Sequence, residues 1–174
     1  MIRVFKAFFD VLTAVLILIL VAIMAFNITC YVKRQNGEIA PTVFGVGVAV
    51  VVSGSMEPEI MIDDLVIYCR QSSYEVGEVV TYEGRTVPVS HRIIGERVDE
   101  EGNLWYTTKG DFNDNDDGEI AAERVVGEVV LVIPKVGKLQ DWIQSGEGFL
   151  VLAIVMAVLI LLSEIQRAIL RRNG

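Results

Sequence analysis

The sequence contains one histidine, two cysteines and four prolines in 174 residues. A lone histidine, His91, excludes a histidine-based zinc site, and Cys30 and Cys69 have the wrong spacing for a cysteine-based one. Two thiols do not make the disulfide framework of a small secreted domain. Inert buried thiols are the expectation. Basic side chains are outnumbered 15 to 23, for a formal net charge of −8, which argues against nucleic acid as a partner. There is no internal repeat and no low-complexity segment.

Apolar residues, by contrast, are abundant: 52% of the chain, with a mean hydropathy of +0.48. The excess lies at the two ends. Val11 to Phe26 is interrupted only by Thr13, and Phe149 to Leu162 has no polar residue. A bilayer core needs about 20 apolar residues, so each run must borrow neighbours to span it. The first borrows Ala7 to Phe9 or Asn27 to Tyr31, and the second Trp142 and Ile143 or Ser163 and Ile165. No clean small-x-small cleavage site follows the first run, so a retained anchor is expected rather than a cleaved leader.

Charge follows the same division. Residues 31–147 hold 21 of the 23 acidic side chains and 10 of the 15 basic ones. The flanks hold Arg3, Lys6, Arg167, Arg171 and Arg172 against Asp10 and Glu164. Basic residues beside membrane spans stay in the cytoplasm. Both termini are therefore expected to be cytoplasmic and the middle exported, although Lys33 and Arg34 run against the rule. Three regions follow: an N-terminal tail and anchor over 1–32, an exported domain over 33–141, and a C-terminal span with a basic tail over 142–174.

The middle reads as β structure. Val43–Val52 is a valine-rich, glycine-spaced run, and Leu65–Arg70, Glu78–Tyr82, Thr86–Val98, Leu104–Thr108 and Val125–Ile133 are short β-branched segments bounded by turn residues. A mainly β domain flanked by two transmembrane helices is the predicted fold class.

Three features of this domain carry possible chemistry. Ser55 stands in Ser53-Gly54-Ser55-Met56-Glu57-Pro58, a tight turn after a buried strand. Its bland reading is a turn serine bonded to its own backbone. His91 alternates with Val87, Val89 and Ile93 on one strand face, where a packed, hydrogen-bonded histidine is the ordinary case. An acid-rich loop follows, Asp111 to Asp117. A serine hydroxyl becomes a nucleophile when a neutral imidazole takes its proton, and a carboxylate fixes that imidazole's tautomer. Serine, histidine and carboxylate are all present. A serine–lysine pair is another way to activate a serine, but of Lys33, Lys109, Lys135 and Lys138 only Lys109 lies between Ser55 and the last strand, and it adjoins the acid loop, so His91 is the better candidate base.

The acid loop also imitates a calcium site, which needs Gly at position 6 and Glu at position 12. Counting from Asn113 puts Arg124 at position 12, and counting from Asp111 puts Asp116 where the glycine belongs. A solvated turn is the alternative for Asp114 and Asp116. A non-catalytic, membrane-anchored exported β module, calcium-stabilised or adhesive, remains the competing functional class.

Four boxes together resemble type I signal peptidases, in the endoplasmic-reticulum-type branch also found in archaea and some Gram-positive bacteria. They are Ser53–Pro58, Asp64-Leu65-Val66-Ile67, Ser90-His91-Arg92-Ile93 and Thr108–Asn113 with Asp117. The resemblance implies a β-rich, LexA-like catalytic domain with Ser55 as nucleophile and His91 as base, replacing the lysine of the ordinary bacterial branch. It implies Asp117 as the triad carboxylate and Asp111 as a nearby supporting acid. The Ser55 N–H and the Ser53 hydroxyl would form the oxyanion hole. No metal or other cofactor is implied. Substrates would be signal peptides of secreted preproteins, cut after small residues at −3 and −1. The enzyme would be a multi-pass protein of the cell membrane, working in the lipid bilayer with its catalytic domain on the extracytoplasmic side and the protein-export channel as a further partner. A self-cleaving regulator with a LexA-like core is a further reading, but no scissile segment is evident. The chain departs from the family at Phe112, where Asn is frequent, and in the extra Asp114–Asp116 pair.

Overall fold

The computed structural model describes residues 2–172. The side chains of the basic flank residues Arg3, Lys6, Arg167, Arg171 and Arg172 lie outside what it describes. In order, the elements are α1 (Ile2–Gln35), β1 (Val46–Val50), β2 (Leu65–Cys69), β3 (Val79–Glu83), β4 (Pro88–Val98), β5 (Leu104–Lys109), β6 (Glu119–Ala121), β7 (Val125–Ile133), α2 (Gly137–Gln144) and α3 (Gly146–Arg172), with a 3-10 turn at Ala122–Arg124. The protein is mainly β between two long terminal helices. It divides into two compact units, one of the residues up to Thr29 with those from Trp142 onward, the other Cys30–Asp141.

Asp10–Gln35, most of it in the first unit, and Gly146–Gln166, wholly within that unit, are long and apolar enough to cross a membrane, with mean hydropathies of 2.9 and 2.7. A core helix of a soluble protein would be mostly buried. Here 0% and 6% of the most apolar windows are. The first helix continues past the apolar run to Gln35. The second draws on Ser163 and Ile165, whereas Trp142 and Ile143 belong to the separate helix α2, which the sequence did not announce. The break has a local cause. Ser145 caps α3, its Oγ accepting from the Gly148 N–H at 3.1 Å, and a Cβ at Gly148 would lie 1.9 Å from the Trp142 carbonyl oxygen.

The other unit is built on one seven-stranded sheet in the order β1-β2-β7-β3-β4-β5-β6, every neighbouring pair antiparallel. Alternation along the central strand β3 supplies both faces. Val80 and Tyr82 join Ile93, Tyr106, Ile120 and Val125 in one core cluster, while Val79 joins Met56, Ile60 and Val66 in another. Strand β1 is shorter than the predicted 43–52. Phe44 and Gly45 both have positive φ, 53° and 80°, and Val43 and Val46 exchange both backbone hydrogen bonds around them, making a two-residue turn. Strand β6 was not predicted; three residues carry too little pattern to detect. Gly47 lies opposite Tyr68, and a Cβ there would stand 2.3 Å from the buried phenol ring. The cysteines are free thiols, Cys30 buried and Cys69 half-buried.

The segment between β1 and β2 carries Ser53 and Ser55, and a buried carboxylate closes it. Asp64, 3% exposed, accepts from the Met61 N–H at 2.9 Å and the Lys135 N–H at 3.0 Å. Val51 N–H donates to Asp64 O and Asp63 N–H to Val51 O, both at 2.9 Å, zipping the base of the loop. Asp64→Ala is therefore expected to lower unfolding free energy by about 2–3 kcal/mol, since two N–H groups lose a charged acceptor. Thermal unfolding of the detergent-solubilised chain measures it, and a variant within about 0.5 kcal/mol of the parent would contradict this role.

Candidate active site

The Ser55 segment turns in a single helical step. Glu57 N–H donates to Gly54 O at 3.1 Å and Ile60 N–H to Met56 O at 3.0 Å, with a cis Glu57–Pro58 bond between. Met56 and Ile60, one turn apart, are each 2% exposed in the core beside Val66 and Val79. Burying two such side chains stabilises the turn by about 1.5–3 kcal/mol each and holds Ser55 at the surface above them.

Strand β4 delivers the histidine. His91 is 7% exposed. Its Nδ1 lies 2.6 Å from Asp117 Oδ2 and its Nε2 lies 2.9 Å from Ser55 Oγ. With Nδ1–H donating to the carboxylate, Nε2 is left with a lone pair facing the serine hydroxyl. The geometry thus selects the tautomer able to accept the serine proton. Ser53 Oγ stands 3.3 Å from Ser55 Oγ.

Asp117 is held by more than the imidazole. Its Oδ2 also accepts from Thr108 Oγ1 at 2.9 Å and from Tyr82 Oη at 3.2 Å, and its N–H donates to Thr108 O at 2.8 Å. Tyr82, His91 and Thr108 stand on three adjacent strands, β3, β4 and β5. The sequence reading gave neither Tyr82 nor Thr108 a role. Tyr82 lies in the apolar alternation of β3, indistinguishable there from a core aromatic, and Thr108 was visible only as a member of a box. Burial, then the nearby Asp117 charge, push the Tyr82 phenol upward against a lowering hydrogen bond from Thr108, so it remains an O–H donor.

Asp111 is placed elsewhere. Its two oxygens accept from Arg92 Nε at 2.9 Å and Nη2 at 2.6 Å, and Arg92 also donates to Gly77 O at 2.8 Å and Glu59 Oε2 at 2.5 Å. Hydrogen bonding to Asp111, with further help from Glu59, holds the guanidinium pKa above its ordinary value. The structure therefore brings Ser55, His91 and Asp117 together and sets Asp111 against Arg92, which joins the acid loop to the Ser55 segment through Glu59. Asp116 accepts from the Gly118 N–H at 3.0 Å, the pattern of a turn. Among the described residues no group of three His, Cys, Asp or Glu could hold a metal ion.

The acid loop also touches the serine directly. Phe112 N–H donates to Ser55 O at 2.9 Å, and a Cβ at Gly110 would lie 2.6 Å from that oxygen. A groove of about 260 Å³ leads to the serine, lined by Ala49, Val51, Met56, Val66, Val89 and Ser90 among others. A β-rich domain carrying this serine–histidine–aspartate chain beside an apolar groove has the constitution of a serine hydrolase.

No family model matches the chain. Among known proteins it is similar to "Signal peptidase complex catalytic subunit SEC11" of Lachancea thermotolerans, 35% identical over 113 residues, which cover 58% of this chain and 67% of that protein. The protein of the same name from Saccharomyces cerevisiae strain YJM789 is 30% identical over 112 residues, with the same coverage, and that of Pyrenophora tritici-repentis is 38% identical over 102 residues, covering 52% of this chain and 59% of that protein. The chain belongs to the family of signal peptidase catalytic subunits.

The close approach at Gly110 leads to a test. Gly110→Ala must push the acid loop off the Ser55 carbonyl, and displacements near 1 Å at a reacting group can cost about 10²-fold in rate. We expect hydrolysis to fall by that order in Gly110→Ala while Gly146→Ala, at the start of α3, where an added Cβ meets nothing within 4 Å, leaves it within about twofold. Equal rates for the two variants would show that the approach does not matter.

Proposed function

We propose that this chain is a membrane-bound serine endopeptidase that removes signal peptides from preproteins. The observation that carries the reading is His91, bonded on one side to Ser55 and on the other to Asp117, in a chain of this family. Ser55 attacks the scissile carbonyl as Nε2 of His91 takes its proton. The tetrahedral intermediate collapses as His91 returns that proton to the leaving amine, and water attacks the acyl-enzyme by the same route. Ser55 N–H and Ser53 Oγ are the proposed oxyanion donors, and Asp117 holds the imidazole.

The groove supports the preference proposed at −3 and −1. It is flanked by residues 49–53 and 87–91, and β4 pairs with β5 only from Arg92 onward. Residues 88–91 therefore have backbone groups on that side available to an extended peptide, whose alternate side chains would enter the groove. Valine and alanine walls leave room for small ones.

The two apolar helices fit an anchor, and the charge partition supports cytoplasmic termini with residues 34–140 outside. Anchoring places the enzyme in the same plane as the apolar segment of its substrate, with the export channel as the proposed source of preproteins.

Preprotein cleavage in detergent tests the chemistry. Ser55→Ala and His91→Ala are each expected to lose at least about 10³-fold, and Asp117→Asn about 10³- to 10⁴-fold through loss of the tautomer lock. Asp111→Asn should be intermediate, and Asp114→Asn or Asp116→Asn near the parent. Near-normal activity in His91→Ala would end the histidine-base mechanism, and a largest loss at Asp114 or Asp116 would end the carboxylate assignment. The orientation has its own test. In sealed vesicles with the cytoplasmic face inward, external protease should digest residues 34–140 and spare a C-terminal tag; a digested tag would remove the second span.

A further inference from the structure

Asp117 reaches His91 through one oxygen, and that oxygen carries more donors than the imidazole requires. Oδ2 accepts from His91 Nδ1 at 2.6 Å, Thr108 Oγ1 at 2.9 Å and Tyr82 Oη at 3.2 Å. Both hydroxyl residues are deep in the fold, Thr108 at 0% and Tyr82 at 5% exposed. The sheet explains the convergence. Tyr82 pairs with Val89 across β3–β4, and Thr108 pairs with Ile93 across β4–β5. Residues two apart share a face, so the side chains at 89, 91 and 93 point the same way, and His91 is flanked diagonally by Tyr82 and Thr108. The Tyr82 ring also meets the imidazole edge-on, with centroids 6.4 Å apart.

A carboxylate is free to rotate about its bond to Cβ, and either oxygen could take the imidazole N–H. Two buried hydroxyls aimed at a single oxygen remove that freedom. We propose that Thr108 and Tyr82 are positioning residues, fixing Asp117 Oδ2 where it locks the His91 tautomer. The inference rests on the triad reading above. Neither residue touches the groove or Ser55 in this arrangement, so substrate binding should be indifferent to them.

Steady-state cleavage of a preprotein by the full-length chain in detergent decides it. Thr108→Val, nearly isosteric, should lower kcat about tenfold with KM unchanged. Thr108→Ser, which restores the hydroxyl, should stay within about twofold of the parent. Tyr82→Phe should lower kcat several-fold. In an Asp117→Asn background Thr108→Val should add nothing to the residual loss, because the group it positions is already altered. A silent Thr108→Val, a Thr108→Ser as slow as Thr108→Val, a rise in KM matching the fall in kcat, or losses that multiply in the Asp117→Asn background would each overturn the proposal. The reading beneath it fails differently: there Asp117→Asn itself would cleave at the parent rate.

Discussion

The hydrogen bond from His91 to Asp117 Oδ2 is the contact on which the geometry of the site depends. Ser55 and His91 are 36 residues apart and His91 and Asp117 another 26, so no local turn can bring them together. The antiparallel register of β3, β4 and β5 does. A slip of one residue in β4 would turn His91 to the opposite face and replace it with Ser90 or Arg92. That register is fixed by packing, since Val80, Tyr82, Ile93 and Tyr106 fill one continuous core. The same face that buries Tyr82 and Tyr106 thus orients the only imidazole.

Around that contact two carboxylates divide the labour. Asp117 faces inward to His91, Thr108 and Tyr82, while Asp111 faces Arg92 and through it Glu59 and the Gly77 carbonyl. One sets the angle of the imidazole. The other ties the acid loop to the Ser55 segment, a task shared with the Phe112 N–H on the Ser55 carbonyl. Like charges so close in sequence are tolerated because each has its own donors.

Much of this was legible in the residues. The valine-rich runs marked six of the seven strands, and the spacing of apolar segments marked both long helices. Position within the four boxes singled out Ser55, His91 and Asp117. What escaped was whatever depends on cross-strand geometry. Tyr82 looks like any core aromatic until β3 is laid beside β4, and Thr108 acquires a partner only when the chain returns at Asp117. Arg92 shows no pattern that foretells a link between two loops. The Phe44–Gly45 turn was hidden because phenylalanine is a rare occupant of a left-handed position and the run around it reads as continuous strand. Helix α2 was hidden for the converse reason: its eight residues are amphipathic but short, and they abut a run already assigned to lipid.

The polarity of the site also fits its setting. The walls of the groove are mostly aliphatic, and its polar lining includes Ser53, Ser55 and His91, whose side chains lie within hydrogen-bond distance of one another in a chain. An extended peptide with small side chains can enter such a groove without stranding a polar group, while a large or charged one would lose either its fit or its hydration. On the proposed function, selection for small residues would need no dedicated recognition group: steric exclusion and the cost of desolvation would suffice. What the fold must supply in addition is an exact position for the serine. It does so from both sides, with Met56 and Ile60 buried beneath the turn and Gly110 and Phe112 closed over its carbonyl. On the proposed mechanism, a serine held in this way has little freedom left to lose when substrate binds, and an imidazole whose tautomer is already set has little left to choose. The site is arranged before the peptide arrives.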